Sequence, residues 1–265
     1  MKKALSILLL LALILTGCNA TETKTLDEKN KLSEAGENLE IKNLEEAVII
    51  SRDDNQVLVY KKGAKGSLYV CDIKDAKIYI DDKEATSADL LAGMKVKIDF
   101  SGPIEESYPA QIGLDKVYAS SLVKNQVNDK IGFYTRLIDK LIKADEALIS
   151  ETKYLGLDLE KGPIKLNDQE QEALAYHLAN KYDKEILFTN FESLEEEDRI
   201  KDLAWEDGFL VSVESDKQEE NPGSVEFKAQ LWRSGLGAVG FKNCKASWDQ
   251  DGQLEEIECE NNWIS

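Results

Sequence analysis

The first eighteen residues constrain this chain more than any other stretch. Lys2 and Lys3 open it, Ala4 to Leu15 is apolar apart from Ser6, and Leu15-Thr16-Gly17-Cys18 follows at once. A basic start, a short apolar run and small residues before a cleavage point make a secretion signal. The run is too short to cross a bilayer, which takes about 20 residues. Residues 1–17 are therefore expected to be removed, and the rest is expected to fold outside the cytoplasm, where disulfides are permitted.

Leu15-Thr16-Gly17-Cys18 resembles the lipobox of bacterial lipoproteins. The resemblance implies a diacylglyceryl group on the Cys18 sulfur and cleavage just before it. Stable anchoring takes about two lipid signals, and such a group supplies two chains. The expected location is the extracytoplasmic face of the cell membrane. Residues 18–43 are polar and charge-mixed, with few apolar side chains to bury, and read as a flexible tether.

Charge narrows the partners. The chain carries 33 basic and 51 acidic residues, a net −18. Losing Lys2 and Lys3 with the signal leaves 31 against 51, about −20. Such a surface repels nucleic acid and anionic lipid headgroups. Besides the membrane reached through the anchor, an envelope protein or a cationic ligand is the partner expected.

Residues 44–123 read as short strands. Ala47 to Ile50 and Val57 to Tyr60 flank a polar turn at Arg52 to Asn55. Lys62 to Gly66 forms a loop into Leu68 to Ile73, and Asp81-Asp82 turns the chain after Lys77 to Ile80. A helical turn near Ala88 to Leu91 ends at Gly93. Met94, Val96, Ile98 and Phe100 then alternate with Lys95, Lys97 and Asp99, which puts one set in a core and the other in water. Gly102-Pro103 breaks that strand, and a last one runs near Lys116 to Ala119. The pattern predicts a small all-β barrel or sandwich. Gly93-Met94-Lys95-Val96 and Glu106-Ser107-Tyr108-Pro109-Ala110-Gln111 resemble an uncharacterised domain of Gram-positive lipoproteins. That resemblance implies an OB-like β-barrel and brings no activity and no catalytic residue.

Residues 128–265 read as an α+β domain. Asn128 or Asp129 caps a helix with Ile131, Tyr134, Leu137, Ile138, Leu141, Ile142 and Leu148 at helical spacing. An extended run from Tyr154 to Leu159 stops at Gly162-Pro163. Asn167 or Asp168 caps a second helix, whose Leu174, Leu178 and Tyr182 share a face. Glu195 to Asp198 reads as a solvated turn or helix end. After Asp207-Gly208 comes an antiparallel meander in which Phe209, Val211 and Val213, then Val225, Phe227, Ala229 and Leu231, alternate with polar neighbours. Val239 and Phe241 lie on odd positions but Cys244, Ala246 and Trp248 on even ones, so a bulge is expected near Lys242-Asn243. The half is loosely similar to cystatin-like or NTF2-like folds, in which helices pack on a curved antiparallel sheet.

A two-residue turn at Asp251-Gly252 pairs Ala246 with Ile257 and Cys244 with Cys259 when counted outward. Both cysteines then share an apolar face with Trp248, as disulfide or as two buried thiols. Cys71 shares a face with Tyr69 and Ile73 and reads as a buried free thiol.

Chemical motifs are few. Gly235-Leu236-Gly237-Ala238-Val239-Gly240 matches a dinucleotide fingerprint in letters but precedes a strand, not the helix that would hold a pyrophosphate. A tight corner passing Trp232 or Trp248 is expected there instead. Asp249-Gln250-Asp251-Gly252 lacks the further acids of a calcium loop, and no CxxC or Cys/His cluster offers a zinc site. His177, the one histidine, has no nucleophile elbow to serve. The expectation is therefore a protein without cofactor, metal or catalytic residue. It would be a binding or accessory module at the cell envelope rather than an enzyme. A small-ligand or cation binder is the alternative, on a surface near Phe227, Leu231, Trp232 and Trp248, and an envelope hydrolase the third.

Overall fold

The computed structural model describes residues 42–61, 68–218 and 223–265, without the side chains of 261 and 262. The signal segment, Cys18, the expected tether up to residue 41 and the loop Lys62 to Gly66 lie outside the described residues. At its end the expected tether gives way to strand, because β1 (Lys42–Asp53) begins at Lys42.

Eight strands form the first sheet. After β1 come β2 (Gln56–Lys61), β3 (Leu68–Asp72), β4 (Lys77–Ile80), β5 (Lys83–Ala85), β6 (Lys95–Phe100), β7 (Ala110–Gly113) and β8 (Lys116–Ala119), in the order β5-β4-β8-β6-β1-β2-β3-β7. The alternation read in Met94 to Phe100 holds, with Val96, Ile98 and Phe100 buried. They join Ala47, Ile49, Val57, Val59, Cys71 and Val117 in one core.

The sheet is open, with β5 and β7 at its edges, which corrects the expected closed barrel. The reason lies at Leu114 and Asp115, which split the last run of strand in two. Their N–H groups donate to the Asp72 and Asp99 carbonyls. The first half then pairs with β3 and the second with β6, and the sheet curls over its core without one continuous ladder.

The second half supplies α1 (Lys130–Ala144), β9 (Tyr154–Asp158), α2 (Asp168–Tyr182), β10 (Glu185–Phe188), α3 (Phe191–Glu196), β11 (Gly208–Glu214), β12 (Ser224–Ser234), β13 (Gly237–Trp248) and β14 (Leu254–Ile264). Asp129 caps α1 through the Gly132 N–H, and Asn167 caps α2 in a capping box with Glu170. The sheet order is β10-β9-β11-β12-β13-β14. The meander β11 to β14 is antiparallel, but β9, β10 and β11 are mutually parallel. The sheet is thus mixed, not antiparallel, because α2 returns the chain as a crossover between β9 and β10.

Both sheets use α1. Phe133, Tyr134, Leu137 and Leu141 are buried in one core with Phe227, Val239 and Trp248 of the second sheet and with Ile50, Leu58 and Leu68 of the first. On the far face of the second sheet, α3 and Trp205 cover Leu210 in a smaller core.

The β13–β14 register pairs Ala246 with Ile257 and Cys244 with Cys259, as counted from sequence. A disulfide joins the two cysteines, whose Cα atoms lie 4.0 Å apart. That is the spacing of a non-hydrogen-bonded pair, not the hydrogen-bonded pair that a two-residue turn would give. The turn is in fact a five-residue loop: the Asp249 N–H donates to the Gln253 carbonyl, and a bulge after Ser247 restores the register. The expected bulge at Lys242-Asn243 is present, with Asn243 at φ 51°.

Candidate functional site

Where the curled sheet meets the helices, a groove of about 670 Å³ opens. One wall is the outer face of β1 and β2, with Val48, Ile50 and Tyr60. The other is Val127, Ile131, Ile164 and Leu166. Alternation puts Ile49 into the inner core and Ile50 towards the groove.

Hydrogen bonds fix both ends. Lys130 Nζ lies 3.0 Å from Glu170 Oε1 and donates to the Lys165 carbonyl at 3.2 Å. Glu170 Oε2 also accepts the Asn167 N–H, 2.8 Å away, as part of the α2 cap. Tyr134 donates to the Ile164 carbonyl at 2.5 Å, and Gln218 Nε2 donates to the carbonyls of Glu160 and Gly162. Asn128 Nδ2 donates to the Asp251 carbonyl at 2.8 Å. These polar side chains are already engaged with the protein itself.

The β13–β14 loop backs the Gln126 to Asn128 side of the groove. Asp249 Oδ1 accepts the N–H groups of Asp251 and Gln253, so the acids that imitate a calcium loop build a turn. The Gly252 carbonyl accepts the N–H groups of Asn128 and Asp129. Gly252 sits at φ +69°, and a Cβ there would stand 1.7 Å from the Gln126 carbonyl oxygen. Only glycine fits this approach.

Electrostatics add no reactive group here. Burial, with the Glu170 charge nearby, raises the Tyr60 pKa above its ordinary value. Burial likewise raises Asp129, against the pull of Arg136.

Ser51 and His177 form a hydrogen bond that spacing alone had not paired. Ser51 Oγ lies 2.6 Å from His177 Nε2, linking β1 to α2. Burial pushes the His177 pKa down, Asp53 opposing and Lys181 reinforcing the shift. Among the described residues no carboxylate hydrogen-bonds the ring, and neither residue lines the groove. The pair acts as a strut between β1 and α2.

The residues expected to form a ligand surface are placed otherwise. Phe227, Leu231 and Trp248 are buried under α1, with the Phe133 ring 5.4 Å from Phe227 and 5.5 Å from Trp248. Trp232 points to the opposite face and meets Phe191 of α3 at 5.0 Å. The helix that fills the concavity is what removes this surface. Gly240 lies close to an indole as expected, but that of Trp263, where a Cβ would stand 2.5 Å from the ring. Cys71 is free and fully buried, and burial pushes its thiol up to about 12. Among the described residues no cluster of three or more His, Cys, Asp or Glu is placed to hold a metal ion.

No protein-family model matches the chain, and no match is found among curated proteins or among solved structures.

Proposed function

We propose that this protein is a lipid-anchored binding or accessory module at the extracytoplasmic face of the membrane. In this reading the groove receives an apolar peptide segment of an envelope protein. The observation that carries the reading is the groove: about 670 Å³ with apolar walls and a rim of polar side chains already fixed by the protein. A preformed cleft of this kind loses little order on binding. The signal-like segment and Cys18 supply the address, through their resemblance to lipoproteins. The OB-like character of the first domain belongs to the same proposal and rests on the resemblance of its two motifs and on an eight-stranded sheet wrapped around one core.

Photo-crosslinking from Gln126 in cells tests this, with Cys18→Ala as the unanchored control. The expected result is one crosslinked envelope protein, captured by the anchored form and lost when Val48→Trp fills the groove. Equal capture by the groove-filled variant would rule the groove out, and turnover of an envelope substrate abolished by one point mutation would rule out a non-enzymatic module.

A further inference from the structure

The far face of the second sheet carries a second cavity, independent of the groove. It measures about 280 Å³ and is lined by Ser212, Glu214, Lys228, Gln230, Lys242 and Trp263, among others. Register explains why these residues meet. Ser212 pairs with Gln230, Gln230 with Gly240, and Gly240 with Trp263, so one row crosses four strands. The absent side chain of Gly240 lets the indole lie across β13. In the neighbouring row, Lys228 and Glu214 form an ion pair at 2.8 Å. Elsewhere on this face, α3 and Trp205 cover the sheet around Leu210.

What distinguishes this cavity from the groove is unspent polar capacity. Among the described residues, no side-chain hydrogen bond or ion pair engages Ser212, Gln230, Lys242 or Trp263, although Ser212 is only 6% exposed. Its hydroxyl opens into the cavity, since the buried side-chain polar atoms without a partner among the described residues are Thr135 Oγ1 and Trp248 Nε1, and Gln230 and Lys242 are exposed. The hydroxyl thus lies in one cavity with a carboxamide, an ammonium and an indole. A carboxamide and a hydroxyl each donate and accept, which suits vicinal hydroxyl groups. An indole presents a large apolar face with a polar edge, which suits the C–H face of a pyranose ring. The volume lies just under the ~300 Å³ at which drug-sized sites begin and matches a mono- or disaccharide.

From this arrangement we infer that the cavity is a saccharide-binding site. Trp263 forms the wall against the ring, Gln230 and Ser212 bond its hydroxyls, and Lys242 favours sugars with an acidic substituent.

The test is titration of the full chain with chitotriose, cellotriose and trigalacturonate, followed by calorimetry and saturation-transfer NMR. At least one is expected to bind, trigalacturonate most tightly. Trp263→Ala is expected to weaken binding by about tenfold or more, equivalent to about 1.4 kcal/mol. Gln230→Ala is a surface change that leaves folding intact, and it is expected to weaken binding several-fold even if Trp263→Ala misfolds. Lys242→Gln is expected to remove the preference for the acidic sugar while sparing the neutral ones. Absence of binding by all three saccharides, or binding unchanged by Gln230→Ala, would overturn the inference. Neither result bears on the groove, which shares no residue with this cavity and lies off the other face of the second sheet.

Discussion

The two concavities of this molecule are built from similar residues and spend them differently. In the groove between the sheets, Lys130, Glu170, Asn167, Asn128 and Gln218 are bonded to one another or to backbone. In the cavity on the far face, Ser212, Gln230, Lys242 and Trp263 have no such partners among the described residues. A polar group bonded within the fold contributes to stability, and one left open to solvent is free to bond water or a ligand. Polar residues at a cleft therefore do not by themselves mark a ligand; whether the fold already uses them does.

Breaking the groove should be expensive. Gly252→Ala forces a Cβ against the Gln126 carbonyl in a left-handed backbone. It is expected to destabilise by about 3 kcal/mol or more, read as a large fall in the urea midpoint. A smaller fall would mean that the loop can leave the rim without disturbing α1. Glu170→Ala removes the Lys130 ion pair and the reciprocal half of the α2 capping box. It is expected to cost about 2 kcal/mol.

The strut at His177 gives a pH-dependent version of the same contrast. Its folded pKa is lowered, by burial first. Above the ordinary value of about 6.5 both folded and unfolded chains are neutral there, and the contribution is complete. Below it the unfolded chain takes the proton first, so stability falls until the folded pKa is passed. Melting temperatures at about pH 7 and about pH 5 should differ less in His177→Gln than in the wild type. An equal difference in both would place the acid sensitivity at groups other than His177.

Much of this architecture was legible because parity and capping are local. The switch from Phe241 to Cys244 located the bulge, and counting outward from Asp251-Gly252 paired the cysteines even though the turn itself is longer. Trp232 lies on the opposite parity to Phe227 and Leu231, so its separation from them was present in the alternation. What the sequence could not show was that α1 would cover the apolar face of Phe227 and Leu231, since alternation marks a face to be buried but not the element that buries it. The strands β7 and β10 are four residues each and too short to show a period. The row from Ser212 to Trp263 was hidden for another reason. It needs the register of three successive strand pairs at once, and the only local signal was a glycine in β13.

The most direct test of the central claim is a paired measurement of unfolding free energy, without ligand, for Glu170→Ala and Gln230→Ala. The account predicts a loss of about 2 kcal/mol for the first and less than about 0.5 kcal/mol for the second. Comparable losses in both would show that the far-face polar groups are held within the fold after all, and the distinction between the two cavities would fail.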